Sequence, residues 1–310
     1  MRLDSINCRT FNHIGAIMPL VIPEDIPAYT FLHQNAFIMG AKRAQHQDIR
    51  TLEVLIINLM PSKIETENQI LSLLANSPLQ VNITLLATAS YIGTNTPRSH
   101  LERFYVNFSD IKGRNFDGAI VTGAPIEHLA FEEVAYWQEL SHIMDYLKLH
   151  CTSTLYLCWG AMAGLYHFHK IAKVSLPQKI FGIFSHYIVQ NDLLLSGLDE
   201  IIKIPHSRHS GIDEAQARNS GLKILLEGDM CGISALKDEK DFFILAHPEY
   251  AKNTLLLEYE RDKQKGLEIA PPLHYLNDEG VPVLTWKSSA SMIFSNWLNF
   301  SVYQDSPFIL

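Results

Sequence analysis

Residues Thr152–Gly164 read TSTLYLCWGAMAG, and the two halves of this stretch favour different structures. Thr152–Leu157 reads as a strand whose last three residues, Leu155–Leu157, are apolar. From Trp159 onward, Gly160, Ala161, Ala163 and Gly164 supply the small side chains that let a helix pack close against a sheet. Cys158 stands at the joint, as in a nucleophile elbow, where a sharp strand-to-helix turn exposes one side chain. A helix start beside the sulfur favours thiolate and leaves the N–H of Trp159 free to bind an oxyanion. The segment alone also fits a buried structural cysteine.

The same alternation extends on both sides. Leu52–Met60 (LEVLIINLM) suits a strand covered on both faces, and Pro61 and Ser62 open a helix to about Asn76. Val81–Ala87 reads as a strand and Pro97–Ile111 as a helix. Asp117–Val121 reads as a strand leading into the tight loop Thr122–Pro125, with a helix over about Glu132–Leu149. After Cys158 a short helix runs to about His169. Residues 177–232 look irregular, with strand-like pieces near Phe181–Val189 and Leu222–Leu226. Ile233–Leu236 and Phe242–Ala246 read as strands, Lys252–Lys265 as an amphipathic helix and Trp286–Tyr303 as a closing helix. Strands alternating with helices predict an α/β fold with a doubly wound, mostly parallel sheet flanked by helices. Residues 1–17 carry little pattern and are expected to be a non-catalytic leader to one domain over residues 18–310.

Composition narrows the function. The 310 residues are 47% hydrophobic and carry a formal charge of −8 with no basic run, which argues against a phosphate-backbone partner. No stretch is long and apolar enough to span a bilayer, and Ile14–Ile22 lacks the marks of a signal peptide. The four cysteines form no Cys-x-x-Cys pair, as expected of reduced thiols in the cytoplasm. Fourteen histidines raise the question of a metal. Neither His167/His169 nor His206/His209 is joined by the further ligands of a known zinc pattern, so no metal is expected. No glycine-rich phosphate loop is present.

A thiol nucleophile needs a base, and the base needs an orienting group. His247 and Glu249 offer both two residues apart, flanking Pro248 where a strand ends, and in extended backbone such residues project to one side. The order Cys158, His247, Glu249 makes these the candidate catalytic residues, although His247–Glu249 alone also fits a strand end capped for stability. The Gly123 loop, Cys158 and His247 all fall at strand ends, where open α/β sheets bind their ligands.

Seven motifs together resemble homoserine O-acyltransferases of the transsuccinylase type. They are Met18–Pro27 (MPLVIPEDIP), Asn58–Asn68 (NLMPSKIETEN), Val121–Pro125 (VTGAP), Thr152–Gly160, Pro205–His209 (PHSRH), His247–Tyr250 (HPEY) and Phe294–Asn299 (FSNWLN). The resemblance implies a class-I glutamine amidotransferase-like fold, generally a cytoplasmic homodimer, and ping-pong transfer of an acyl group from acyl-CoA through a Cys158 thioester. No cofactor is held permanently, and acetyl-CoA is the expected co-substrate. Lys179 and Ser207 fall on acceptor-binding positions, and Arg261 on the position that pairs with the amino acid's carboxylate, which a guanidinium can grip with two hydrogen bonds. Glu127 falls where the family sets its acyl preference. Glu there accompanies acetyl-CoA and Gly succinyl-CoA, as expected if a carboxylate repels the succinyl carboxylate.

The chain departs from the family pattern at Met162 (usually Gln), Ser185 (Glu), Ala246 (Gly), Ala251 (Asp) and Lys287–Ser289 (Arg-Ser-His). These changes bear on the acceptor. Homoserine is expected, with serine, one methylene shorter, as the alternative. A succinyl-CoA-using enzyme, a glutamine amidotransferase and an inactive relative are the further readings.

Overall fold

The computed structural model describes residues 20–32, 38–40, 50–90 and 95–307. The expected leader, residues 1–17, lies outside them. In chain order the elements begin with β1 (Leu20–Ile22), α1 (Pro27–Leu32), β2 (Ile38–Gly40), β3 (Leu52–Ile57), α2 (Lys63–Leu74) and β4 (Val81–Leu86). Next come α3 (Arg98–Phe104), β5 (Tyr105–Val106), α4 (Phe108–Ile111), β6 (Phe116–Val121), α5 (Trp137–His150), β7 (Cys151–Leu157) and α6 (Trp159–His169). The chain continues through β8 (Lys173–Ile188), β9 (Ile201–Ile212), α7 (Glu214–Asn219), β10 (Lys223–Gly228), β11 (Gly232–Lys237) and β12 (Phe242–Ile244). It closes with α8 (Thr254–Gln264), α9 (Lys287–Asn296) and a π-helical turn over Trp297–Tyr303.

One sheet takes the order β2-β1-β4-β3-β6-β7-β12-β11-β10-β8-β9, with β5 beside β4. It is parallel from β2 to β12 and antiparallel from β12 to β9. Period-two alternation divides β3 between two apolar cores. Val54 and Ile56 pack with Ile70, Leu74 and Trp297, while Leu55 and Ile57 pack with Leu140, Met144 and Trp159. From Val54 to Ile57 the strand is therefore apolar at every position, as a sheet covered on both faces demands.

Two stretches differ from the sequence reading. The helix expected over Pro97–Ile111 is broken after Phe104. Tyr105 turns inward to donate its hydroxyl to Glu67 at 2.6 Å, and Asn107 restarts α4 through a capping box with Asp110. Residues 177–232, expected to be irregular apart from strand-like pieces near Phe181–Val189 and Leu222–Leu226, hold most of the long β8–β9 hairpin. Pro177 made that strand hard to read, yet it lies in the register shift between Ser175 and Ile180, where the ladder asks for no donor. Gly182 is required by close approach. At φ +140° a Cβ there would sit 2.4 Å from the Leu273 backbone.

Candidate active site

Cys158 is the single residue between β7 and α6, and it takes φ 47° and ψ −114°. That left-handed conformation swings its side chain off the carboxyl edge of the sheet. Its backbone N–H donates to Ile244 of the neighbouring β12 at 2.7 Å, which ties the elbow to the next strand. The small residues beyond it have specific tasks. A Cβ on Gly160 would lie 2.5 Å from the Thr122 carbonyl, and one on Gly164 would lie 2.9 Å from the Phe243 ring. Trp159 is the first residue of α6, so its N–H has no acceptor within the helix.

His247 follows β12 closely and donates its backbone N–H to Pro205 at 2.8 Å. Its Nδ1 lies 2.7 Å from Glu249 Oε1, and its ring stacks on Tyr250 with centroids 4.1 Å apart. The other edge of the ring meets Cys158. Burial opposes a charge on His247, but the hydrogen-bonded Cys158 sulfur and the Glu249 carboxylate outweigh it and hold the imidazole well above its usual pKa. A Cβ on Gly123 would lie 3.3 Å from Cys158 Cβ and 3.6 Å from His247 Cε1, a measure of how tightly the β6 loop closes over the pair. Cys158, His247 and Glu249 thus meet at the carboxyl ends of β7 and β12.

Cys158 and His247 open onto a cavity of about 520 Å³ whose lining includes Glu127, Lys179, Ser207 and Arg261. The candidate side chains other than Glu249, which reaches the site through His247 Nδ1, therefore line one cavity, from β8, β9, α8 and the loops after β6, β7 and β12. Asp262 links two of the cations. Lys179 Nζ lies 3.3 Å from its Oδ2, and Arg261 Nε donates to its Oδ1 at 2.8 Å. Burial works against the Asp262 carboxylate, yet Arg261 and Lys179 bring its pKa below the ordinary value. The Lys179 ammonium also sits 4.0 Å over the Phe181 ring.

Glu258 escaped the sequence reading. It accepts hydrogen bonds from Ser207 Oγ at 2.5 Å and from the Tyr250 hydroxyl at 2.7 Å, within the same cavity. Thr254, Glu258, Arg261, Asp262 and Lys265 fall at helical spacing on one side of α8, and all line the cavity. The polar stripe of this amphipathic helix is thus its site face. Its three-and-four spacing from Arg261 was the available signal.

Glu127 is half-buried in the loop after β6. Burial raises its carboxyl pKa, against the pull of His247, Lys179 and His128. Lys173 fixes this loop by donating to the carbonyls of Glu127, at 2.6 Å, and Leu129. The histidine pairs separate in space. His167 meets Asp145 and His169 meets Asp238, while His206 Nε2 lies 2.9 Å from His186 Nε2 and His209 lines the cavity. A further cation was not foreseen. Arg208, almost fully buried, donates to His206 Nδ1 at 3.2 Å and to the Ser210 and Cys231 carbonyls.

The model of the family described as homoserine O-succinyltransferase matches residues 19–308. The chain belongs to that family. Within it, the chain is 57% identical over 297 residues to the homoserine O-acetyltransferase of Campylobacter jejuni (strain RM1221), covering 94% of this chain and all of that protein. It is 51% identical over 300 residues to the homoserine O-acetyltransferase of Bacillus licheniformis, covering 94% of this chain and 99% of that protein. In fold the family member resembles a glutamine amidotransferase from Thermotoga maritima, with a TM-score of 0.55 at 10% identity over 83% of this chain and 99% of that one. The α/β fold with its mostly parallel sheet is that of the class-I glutamine amidotransferases. Among the described residues no helix is long and apolar enough to cross a membrane.

Proposed function

We propose that the chain is a homoserine O-acetyltransferase, moving an acetyl group from acetyl-CoA to the side-chain hydroxyl of L-homoserine, a step of methionine biosynthesis. The observation that carries this reading is the convergence of Cys158, His247 and Glu249 on one cavity with a cationic and an anionic wall. The 57% and 51% identical relatives, both named for homoserine acetylation, favour that acceptor over serine.

The thiolate of Cys158 attacks the thioester carbonyl of acetyl-CoA. The Trp159 N–H, aligned with the positive end of α6, stabilises the oxyanion. Collapse breaks the carbon–sulfur bond to CoA, and the His247 imidazolium protonates the departing thiolate. Cys158 now carries the acetyl group and His247 is neutral, with Glu249 holding its Nδ1–H. The imidazole next takes the proton of the homoserine hydroxyl as that oxygen attacks the enzyme thioester. Cys158 leaves as thiolate, which restores the ion pair with His247. Arg261 and Lys179 hold the acceptor's carboxylate end, Ser207 contacts the acceptor, and Glu258 suits its ammonium group. Glu127 faces the acyl group and disfavours a succinyl carboxylate. The reading takes residues 18–310 as one acyltransferase domain of a cytoplasmic homodimer with no permanently bound cofactor.

The test is release of CoA thiol from acetyl-CoA or succinyl-CoA, with L-homoserine and L-serine as acceptors and Cys158→Ser as the blank. Release with acetyl-CoA and homoserine, absent from the blank, is expected. Preference for serine, or equal release by the blank, overturns the reading. Glu127→Gly is expected to raise succinyl-CoA use relative to acetyl-CoA by about tenfold, which corresponds to ~1.4 kcal/mol. An unchanged donor ratio would remove Glu127 from acyl selection.

A further inference from the structure

Two histidine clusters among the described residues have the composition of a metal site, and their hydrogen bonding separates them. In the first, His186, His206 and Cys231 are all buried and their ligand atoms lie within 4.8 Å of one another. Arg208 Nε, always a donor, points at His206 Nδ1 at 3.2 Å, so the neutral His206 carries its proton on Nε2. That proton faces His186 Nε2 at 2.9 Å, and His186 Nδ1 in turn lies 3.2 Å from the Ile202 carbonyl. Every ring nitrogen is engaged, and a guanidinium stands behind the cluster. A metal bound there would need His206 as imidazolate beside a fixed cation. The cluster is a closed hydrogen-bond chain.

The second cluster has no such obstacle. Glu127, His128 and His209 each offer a ligand atom, all within 4.8 Å of one another, and the two rings stand 5.1 Å apart at 47°. Glu127 and His128 are adjacent in the loop after β6, and His209 comes from β9. Both supports are rigid. Lys173 on β8 grips the carbonyls of Glu127 and Leu129 on either side of His128, and β9 is paired with β8 along most of its length. The cations near the cluster have partners of their own, and the His247 imidazolium, which also pulls on Glu127, is paired with Glu249 and Cys158. Lys173 is held by those carbonyls, and Lys179 is paired with Asp262 at 3.3 Å. Two imidazoles and one carboxylate are a donor set typical of zinc, which binds them at about 2.0–2.2 Å, so ligand atoms roughly 3.3 Å apart complete a tetrahedron with water in the fourth place. The ligand atoms, now within 4.8 Å of one another, reach that spacing only if the Glu127 and His128 side chains both move, and His128 is exposed.

We propose that Glu127, His128 and His209 form a site for a zinc-class divalent cation on the wall of the substrate cavity, separate from Cys158 and His247. The site stands on these three side chains whichever acyl group the enzyme transfers. A zinc ion there neutralises the carboxylate that faces the acyl donor, so the repulsion of a succinyl group assigned to Glu127 belongs to the zinc-free enzyme.

Cys158 and His247 could themselves bind zinc, so the test begins with Cys158→Ser. Calorimetric titration of this full-length protein with zinc chloride is expected to show a one-to-one event. Adding His128→Asn, at an exposed position that leaves the fold intact, is expected to weaken that event by at least about tenfold, the loss that even an outer-shell partner causes. Cobalt(II) on the wild-type chain is expected to give visible bands with no thiolate charge-transfer absorption. Equal zinc affinity in the single and double variants overturns the site. Thiolate absorption on cobalt binding that vanishes in Cys158→Ser does the same, because it places the ion on the catalytic cysteine.

Discussion

Cys158 holds a backbone conformation that side chains rarely adopt, and the surrounding contacts explain why it persists. Its N–H is tied to Ile244, Gly160 packs on the Thr122 carbonyl, and α6 is buried behind it. A non-glycine residue held in such a region costs of order 1–3 kcal/mol. The cost supports function, because relaxing the turn would swing the sulfur away from His247. Glycine would relieve the strain, whereas alanine would keep it and lose only the sulfur. Cys158→Gly is therefore expected to be about 1 kcal/mol more stable than Cys158→Ala in urea unfolding, with both inactive. Equal midpoints for the two variants would mean that the elbow is unstrained. The elbow itself was legible in the sequence, since the Gly-Ala-Met-Ala-Gly run after an apolar strand has few other uses.

At the scale of elements, β3, β4, β6 and β7 were readable, as were β10, β11, β12 and the end of β8, whereas β9 and the first half of β8 were not. β3, β6 and β7 are buried on both faces and announce themselves as apolar runs. The first half of β8 is exposed along much of its length and includes Pro177, so its strand character comes from pairing with β9, which no local signal carries. The same limit hid Glu258. The sequence marked the α8 segment as amphipathic, and the default places a polar stripe in solvent. Here that stripe lines the cavity, because α8 follows directly from the loop that holds Glu249 and Tyr250. If Glu258 receives the acceptor's ammonium group, Glu258→Gln still accepts from one of the Ser207 and Tyr250 hydroxyls and donates its amide to the other, but loses the charge. The expected result is a roughly tenfold higher KM for homoserine, ~1.4 kcal/mol, with kcat and the KM for acetyl-CoA much less affected. A change confined to kcat would show that Glu258 acts by positioning Tyr250 beneath His247 instead.

For the whole molecule, the balance of buried histidines sets how stability depends on pH. His186 is lowered to about 4 by burial, with Arg208 adding to the effect, and His206 lies well below its usual value for the same reasons. Groups depressed in this way are neutral when folded but take up protons when unfolded below about pH 6.5. Their contribution is fully present above that value and is lost as pH falls toward 4, amounting to about 3 kcal/mol for His186 alone. His247 has the opposite sign. Its raised pKa contributes stability that is complete below about pH 6.5 and declines as pH rises toward the folded value. The urea midpoint of the wild-type chain is therefore expected to peak near neutral pH, falling below pH 6 through the His186–His206 pair and easing above pH 7 through His247. Replacing Cys158 by Ser removes one of the two partners that sustain the His247 charge and leaves Glu249. The alkaline decline should then flatten while the acid limb stays. An acid limb that disappeared with Cys158→Ser would tie it to the Cys158–His247 pair, and a flat wild-type profile from pH 7 to 5 would show that His186 and His206 are not held neutral in the core.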